Sequence, residues 1–183
     1  MVPGSLRPLR RSEYDRLVDA GTFAGERLEL LFGNLVAMSP QGVAHVFAVR
    51  QLFLLFSRAL LGRAEVFCQM PLALSEDSEP EPDLFIAQLS SDGYASALPS
   101  QALLVIEVAD TSLVRDVRLK AALYASCGVP EYWVFDLAAK RVLVHRGPAA
   151  DGYGSTEVVA EGETLRARHF ADIAVRVADF LPR

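Results

Sequence analysis

Three charged side chains in the middle of the chain have the types and the order that metal-assisted phosphate chemistry uses. Asp83 follows Pro82 and opens the apolar segment "DLFIA", Glu107 interrupts the apolar segment "LLVIEV", and Lys120 comes next in "VRDVRLKAALYAS". A buried carboxylate without a partner is strongly unfavourable or takes up a proton. Glu107 therefore requires a cation, a hydrogen-bond network or a metal ion.

Asp83 and Glu107 predict a magnesium site if they converge. Mg²⁺ takes one or two protein carboxylates and fills its other positions with water or phosphate oxygens, and Mn²⁺ is the expected substitute. Such an ion lowers the pKa of its bound water and neutralises charge on a phosphate under attack. Lys120 would add a compact ammonium donor beside the attacking water. Only Lys120 and Lys140 are lysines among the 18 basic residues, which slightly favours a special role for Lys120.

Two strands would bring the carboxylates together. The segments 83–87 and 103–108 are rich in branched side chains, which is typical of strands. If these strands are neighbours, Asp83 and Glu107 lie on one side of the sheet, near its edge. Pro82 keeps the backbone extended at the point where Asp83 begins its strand.

A helix would position the lysine. The pattern predicts a helix from Thr111 or Ser112 to about Ser126, ended by the glycine and proline that follow. Its second turn would return over the sheet, with Lys120 on one face together with Val117, Ala121 and Tyr124. The unit that continues into "EYWVFDL" is long enough for a right-handed crossover between parallel strands.

The N-terminal part predicts a helix, a hairpin and a longer helix. Ser12 can cap a short helix that runs to about Ala20, and "LELLFGNLVAMSP" predicts a hairpin that turns around Gly33 and Asn34. A helix over 43–61 follows, because apolar residues recur there at spacings of three and four. The expected core-facing positions of that helix are Val46, Val49, Phe53, Phe56 and Leu60.

The remaining segments complete an α/β fold. Further strands are predicted at 65–74, in "EYWVFDL", in "KRVLVHR" and in the tail, with an acidic, non-helical loop "SEDSEPEP" before Asp83. The order helix, three strands, helix, strand predicts a mixed sheet flanked by helices. We expect one domain over residues 1–183, with Tyr132 and Trp133 in its core rather than stacked on bases.

Composition excludes several classes of protein. With 51% hydrophobic and 22% charged residues and no long apolar run, the chain is expected to be cytoplasmic, with no membrane partner. Cys68 and Cys127 lack metal-binding spacing, and His45 is expected to be an ordinary polar residue at a helix start. The net charge of −5 argues against binding nucleic acid through overall electrostatics, so any such site must be local.

Structural roles could account for each of the three residues taken alone. Asp116 and Lys120 could form a surface pair one helical turn apart. Asp83 could be a turn residue at the end of a strand, and Glu107 could pair with an arginine such as Arg115 or Arg118. The three residues together, in this order, are more specific than any one of them.

The stretch "IEVADTSLVRDVRLKAALYASCGVPEYWVFDL" resembles the Uma-type restriction endonuclease family, a bacterial branch of the PD-(D/E)XK nuclease superfamily. The segments "LELLFGNLVAMSP" and "EPDLFIA" are similar to the family's hairpin and to its strand with a metal-binding Asp. The resemblance implies a restriction endonuclease-like fold with N-terminal hairpin and C-terminal strands.

The resemblance also implies roles for residues. Asp83 and Glu107 would be the metal carboxylates and Lys120 the catalytic lysine, with Glu29 and Gln69 as supporting residues. In the wider superfamily the lysine follows the glutamate by two residues on the same strand. Here that position is Ala109, so Lys120 would act from the helix, a displacement that the Uma-type pattern shares.

The resulting hypothesis is a Mg²⁺-dependent endonuclease that hydrolyses DNA and acts as a homodimer, with "EYWVFDL" and "IAVRVADFL" as candidate interface strands. One alternative is a catalytically silent module on the same fold that binds nucleic acid or protein. Another is a hydrolase of nucleotides or other small phosphoesters. Metal affinity separates the silent module from the two enzymes, and the width of the pocket separates the two enzymes.

Overall fold

A mixed sheet flanked by helices forms the centre of the computed structural model, which describes residues 7–110 and 112–181. Its strands are β1 (Leu28–Leu31), β2 (Asn34–Ala37), β3 (Glu65–Cys68), β4 (Leu84–Ala87), β5 (Leu104–Ala109), β6 (Glu131–Asp136), β7 (Arg141–Ala149), β8 (Gly152–Ala160), β9 (Thr164–Ala167) and β10 (Phe170–Arg176). Its helices are α1 (Arg11–Asp19), α2 (Val43–Ala59), α3 (Leu113–Arg115), a π-helical turn (Asp116–Lys120), α4 (Ala121–Ser126) and a 3₁₀ helix (Val177–Phe180).

The central sheet has the strand order β3-β4-β5-β6-β7-β8. β5 and β6 are parallel and are joined by the crossover through α3 and α4, whereas the other neighbouring pairs in this sheet are antiparallel. The hairpin β1-β2 and the ribbon β9-β10 are separate two-stranded sheets. The predicted mixed α/β sheet and parallel crossover are thus confirmed.

Each face of the sheet has its own core. On one face, α2 packs through Leu52 and Phe56 against Trp133 and Phe135 of β6. On the other face, α4 packs against the sheet in a cluster that includes Tyr124, Tyr132, Val105 and Val134. Strand residues alternate between the faces, so Glu107, two residues after Val105, faces α4. Tyr132 and Trp133 are fully buried, as predicted. No helix in the described part of the chain is long and apolar enough to span a bilayer.

Three predicted helical features are wrong in detail. α1 begins at Arg11, so Ser12 is not its cap; instead the Glu13 carboxylate accepts the backbone N–H of Arg10, the N-cap residue, at 3.0 Å. In α2, Val46 is 49% exposed and Phe53 is only partly buried, because the buried face is rotated toward His45, Ala48, Val49, Leu52 and Phe56. The helix predicted over 112–126 is interrupted by the π turn, and its other predicted start, Thr111, lies outside the described residues.

The strand predictions also need corrections. β3 ends at Cys68 rather than at residue 74. The β1-β2 hairpin turns at Phe32 and Gly33, whose φ angles are 50° and 72°, so Asn34 already belongs to β2. A Cβ on Gly33 would lie 2.3 Å from the Pro8 Cβ, so only glycine fits this turn.

The segments proposed as a dimer interface do not offer an apolar surface. Every residue of β6 is buried in the interior of the sheet. In β10 the apolar Ile173 and Val175 point into the core, while Asp172 and Arg176 are exposed. A homodimer therefore stays a prediction, and these two segments do not supply its contact.

Candidate active site

The pairing of two strands places the two predicted carboxylates side by side. β4 and β5 are antiparallel, and Leu84 pairs with Ile106. Asp83 and Glu107 are the next residues outward in this register, and the Asp83 backbone N–H donates to Glu107 Oε2 at 3.4 Å. Both side chains are buried, at 8% and 4% exposure. The predicted convergence of Asp83 and Glu107 is therefore observed.

Three neighbouring elements fix the Asp83 carboxylate. Its Oδ2 lies 3.0 Å from Nε2 of His45, on the first turn of α2, and accepts the Val108 backbone N–H at 2.8 Å. Its Oδ1 accepts the Gln69 side-chain amide at 3.2 Å. Gln69 follows β3 in the left-handed region, with φ of 52°, a conformation that costs a non-glycine residue about 1 kcal/mol or more. Asp83 is thus held by α2, β3 and β5 together.

Glu107 is paired with a buried cation. Lys120 Nζ donates to Glu107 Oε1 at 2.8 Å, and the Tyr124 hydroxyl donates to the same oxygen at 2.9 Å. Lys120 also lies 3.0 Å from Oε2 of Glu29, which comes from the β1 strand of the hairpin. Lys120 and Glu29 are 3% and 0% exposed. Two carboxylates from opposite ends of the site therefore share one ammonium.

Glu29 has a free acceptor atom. Its Oε2 also accepts the Glu81 backbone N–H at 3.3 Å, but its Oε1 is buried without a hydrogen-bond partner among the described residues. Buried carboxylate oxygens are normally satisfied by protein, water or an ion. The Glu29 side chain can therefore accept one further donor or cation at the floor of the pocket.

Burial and charge set the protonation of the site. Burial raises the pKa of Glu107 to about 8; Lys120 opposes this shift, while Asp83 adds to it. Burial lowers the pKa of Lys120, but the carboxylates of Glu107 and Glu29 raise it by more, so the net shift is upward and the ammonium stays charged. Burial also raises the pKa of Asp116, again opposed by Lys120. The site thus combines a buried cation with a carboxyl group whose pKa is raised by burial.

The π-helical turn explains how Lys120 enters the site. Asp116 and Lys120 stand at its two ends, and both are buried. The Ser112 hydroxyl donates to Asp116, and the guanidinium of Arg115 lies 4.0 Å from it. A surface pair between Asp116 and Lys120 is thus ruled out, and the partner of Glu107 is the lysine rather than an arginine. π turns occur often at functional sites.

These residues line a small cavity of about 50 Å³. Glu29, Asp83, Glu107 and Lys120 lie along it, and residues 38–42 form another part of its wall. Gly42, the N-cap of α2, lies so close to Asp110 that a Cβ would approach the Asp110 carboxylate to 3.1 Å. A side chain at position 42 would therefore press against the pocket wall.

His45 and Tyr124 belong to the site, although sequence reasoning gave neither a functional role. The sequence places Tyr124 on the same helix face as Lys120, four residues later, and this spacing is the available signal. The sequence favours an ordinary polar role for His45, and nothing in its local sequence indicates that it reaches Asp83. Its Nδ1 is buried without a partner among the residues that the structure describes.

The oxygen donors fit a hard cation. Asp83 Oδ1 and Glu107 Oε2 each accept only one hydrogen bond, both longer than 3.1 Å, which leaves lone pairs for a ligand. Within residues 7–110 and 112–181, no group of three or more His, Cys, Asp or Glu side chains is arranged to hold an ion. A site with two protein carboxylates is the arrangement that Mg²⁺ commonly uses, with water and phosphate oxygens as the other ligands.

The sheet, its parallel crossover and the acidic pocket beside the start of β4 define a restriction endonuclease-like protein. A sequence model of the Uma2 family, described as "putative restriction endonuclease", matches residues 11–178, and the chain belongs to this family. A crystal structure of a "putative nuclease" from Anabaena variabilis has a similar fold, with a TM-score of 0.72 and 18% identity over 94% of this chain and 97% of that one. A search of curated proteins finds no match.

Proposed function

We propose that this protein is a Mg²⁺-dependent endonuclease that hydrolyses phosphodiester bonds in DNA, with Mn²⁺ as a substitute ion. The observation that carries the proposal is the buried contact of 2.8 Å between Lys120 and Glu107, one strand away from Asp83. The family's description as restriction endonucleases and the nuclease-like fold of the chain support DNA as the substrate. Cutting both strands of a duplex would require two copies of the site, so a homodimer remains part of the proposal.

Asp83 and Glu107 would hold the ion through the oxygens that have free lone pairs. When bound, the ion would lower the pKa of a water molecule and neutralise charge on the phosphate. Lys120 would orient the attacking water or donate a hydrogen bond to a phosphate oxygen, since an ammonium has three donors and only two are used here. His45 and Gln69 would keep the Asp83 carboxylate in place.

Glu29 would act as a positioning residue for Lys120. Because Lys120 lies between Glu29 and Glu107, at 3.0 and 2.8 Å, loss of its contact with Glu107 would still leave it held by Glu29. The buried carboxylates also keep the amine protonated. Lys120 would therefore act as a hydrogen-bond donor rather than as a proton acceptor.

One observation favours the alternative of a catalytically silent binding module. Lys120, Tyr124 and the Asp83 backbone already partner both oxygens of Glu107, so the buried carboxylate is satisfied without a metal ion. A pocket of about 50 Å³ also leaves little room for a substrate group. A silent module would show no specific affinity for a divalent cation.

Cleavage and metal binding test the proposal. Plasmid DNA with Mn²⁺ should be cut by the wild type and by Lys140→Gln, in which an exposed lysine paired with Glu161 is neutralised. Lys120→Gln should lose the activity when it is assayed at a temperature at which circular dichroism shows that this less stable variant is still folded. Calorimetric titration should detect Mn²⁺ binding that Glu107→Gln weakens strongly. Cleavage by Lys120→Gln at the wild-type rate would overturn the assignment, and absence of Mn²⁺ binding to the wild type would favour the silent module.

A further inference from the structure

A second concave surface lies next to the candidate active site. It is a shallow groove of about 240 Å³ between the outer side of α2 and the end of β3. Val46, Val49, Phe53 and Cys68 give it an apolar floor. Val46 is 49% exposed, although the helical pattern had predicted it in the core. Val49, Phe53 and Cys68 also pack against the core, so Val46 is the floor residue that internal packing leaves exposed.

The groove adjoins the catalytic pocket. Gln41 lines both, and Gln69 lines the groove while its amide donates to Asp83 at 3.2 Å. A ligand in the groove would therefore lie beside the nucleotide whose phosphate occupies the pocket. The size of the groove is below the roughly 300–1,000 Å³ of sites for drug-sized ligands, which suits a single ring system.

The rim of the groove has a cation available for phosphate. Arg50 lies on α2 at the groove, and its guanidinium makes no ion pair with a carboxylate in the described part of the chain; its hydrogen-bond partner is the side chain of Gln51, at 3.2 Å. A free arginine next to an apolar floor that contains an aromatic ring matches the two parts of a nucleotide. The ring and the apolar side chains can contact a base, and the guanidinium can donate hydrogen bonds to a phosphate.

We infer that this groove binds an unpaired base adjacent to the scissile phosphate, so that the preferred substrate is single-stranded DNA or an unpaired segment of DNA. This inference rests on the proposed nuclease function and specifies its substrate. In a duplex the faces of a base are covered by stacking, so a base must leave the stack before an apolar groove can accept it. The net charge of −5 agrees with this, because single strands have a lower charge density than a duplex and depend less on counterion release.

Binding measured without metal tests the inference separately from catalysis. Fluorescence anisotropy in EDTA would compare a labelled single-stranded oligonucleotide with the duplex of the same sequence, and the single strand should bind about tenfold more tightly or better. Val46→Glu, which places a carboxylate in the groove, should weaken binding of the single strand by about tenfold. The matched control is Val43→Glu on the same helix, at a side chain that is 90% exposed and outside the groove.

Two further variants test separately how the Phe53 ring and the Arg50 guanidinium contribute to binding of the single strand. Phe53→Leu keeps an apolar side chain but removes the stacking face, and it should also weaken binding of the single strand. Arg50→Gln should weaken binding and reduce its salt dependence, whereas Arg58→Gln, an exposed arginine elsewhere on α2, should do neither.

Three results would overturn the inference. The duplex could bind as tightly as the single strand, or Val46→Glu could behave like Val43→Glu. Alternatively, Val46→Glu could change the sedimentation behaviour of the protein without changing DNA binding, which would make the groove a contact between copies of the chain. Cleavage by Lys120→Gln would instead refute the catalytic assignment, and it would leave the binding comparison interpretable.

Discussion

Replacing Lys120 by Met should strongly destabilise the fold, because it removes the only cation in contact with two buried carboxylates within the described part of the chain. Met keeps most of the apolar volume of the lysine stem but leaves Glu29 and Glu107, at 0% and 4% exposure, without their shared partner. Removing one member of a buried ion pair costs about 3–5 kcal/mol. Since natural domains unfold with about 5–15 kcal/mol, the variant would keep only part of its stability.

The expected fall in the melting temperature of Lys120→Met is large enough to measure by thermal unfolding. For a chain of 183 residues, each kcal/mol lowers Tm by about 2–4 °C, so Lys120→Met should melt about 6–20 °C below the wild type at neutral pH. Lys140→Met is the matched control, because Lys140 is half exposed and pairs with Glu161 at the surface. The control should change the free energy of unfolding by less than about 0.5 kcal/mol.

A second variant checks that the loss comes from uncompensated charge. In the Lys120→Met background, Glu107→Gln removes one buried negative charge and should recover at least about 1 kcal/mol. Acid should have the same effect on Lys120→Met, since carboxyl groups with raised pKa values in the folded state stabilise that state at low pH. Chemical denaturation at pH values on both sides of neutrality measures these effects. If Lys120→Met unfolds like Lys140→Met, or if Glu107→Gln lowers its stability further, the assigned ion network is wrong.

Three other predictions test residues around and outside the site. Burial, reinforced by Asp15, raises the pKa of Glu79 to about 7, so its contribution to stability is full below about pH 4.5 and is lost as the pH rises through about 7. Glu79→Gln should therefore raise the free energy of unfolding by about 1–3 kcal/mol near pH 8 and leave it unchanged near pH 4; equal effects at both pH values would contradict this. Tyr124→Phe removes a 2.9 Å hydrogen bond to Glu107 and should cost about 1–2 kcal/mol in denaturant titration, whereas an unchanged midpoint would argue against that bond. Glu131→Ala, which removes the buried acceptor of Trp133 and Arg146, should lower stability by about 3–5 kcal/mol but leave Mn²⁺ affinity unchanged by calorimetry, because Glu131 does not line the pocket; a change in affinity would contradict the separation of the two networks.

The sheet could be predicted from sequence because its signals are local. The apolar, branched runs at β4, β5 and β6 can be recognised from their own residues, and the helix between β5 and β6 requires a crossover. Charged residues in apolar strands are rare, so Glu107 indicated the position of the candidate site as well. The order of Asp83, Glu107 and Lys120 along these elements was then enough to predict that the three side chains converge.

Other parts of the site depend on packing that no local pattern records. The partner of Glu107 was expected to be a metal ion, but Lys120 already provides the compensating charge. The contact between His45 and Asp83 requires α2 to cross the end of β4, and a single histidine at a helix start does not indicate this. The periodicity over 112–126 indicates a regular α-helix. It does not reveal the π turn, which adds one residue to the helical repeat. In α2, the apolar spacing fits two rotations of the helix, and packing against the sheet selects the one that leaves Val46 exposed.

The four charged residues of the site come from four segments that are distant in the chain. The Glu29 contact with Glu81 spans 52 residues, the Asp83 contact with Glu107 spans 24, and Lys120 lies 13 residues after Glu107. These contacts can form only when the loops between the segments have closed. During synthesis, Glu29, Asp83 and Glu107 leave the ribosome before Lys120. Until Lys120 follows, these carboxylates lack their shared cation. The ion network of the candidate site would then be complete only after the segment that contains Lys120 has folded onto the sheet.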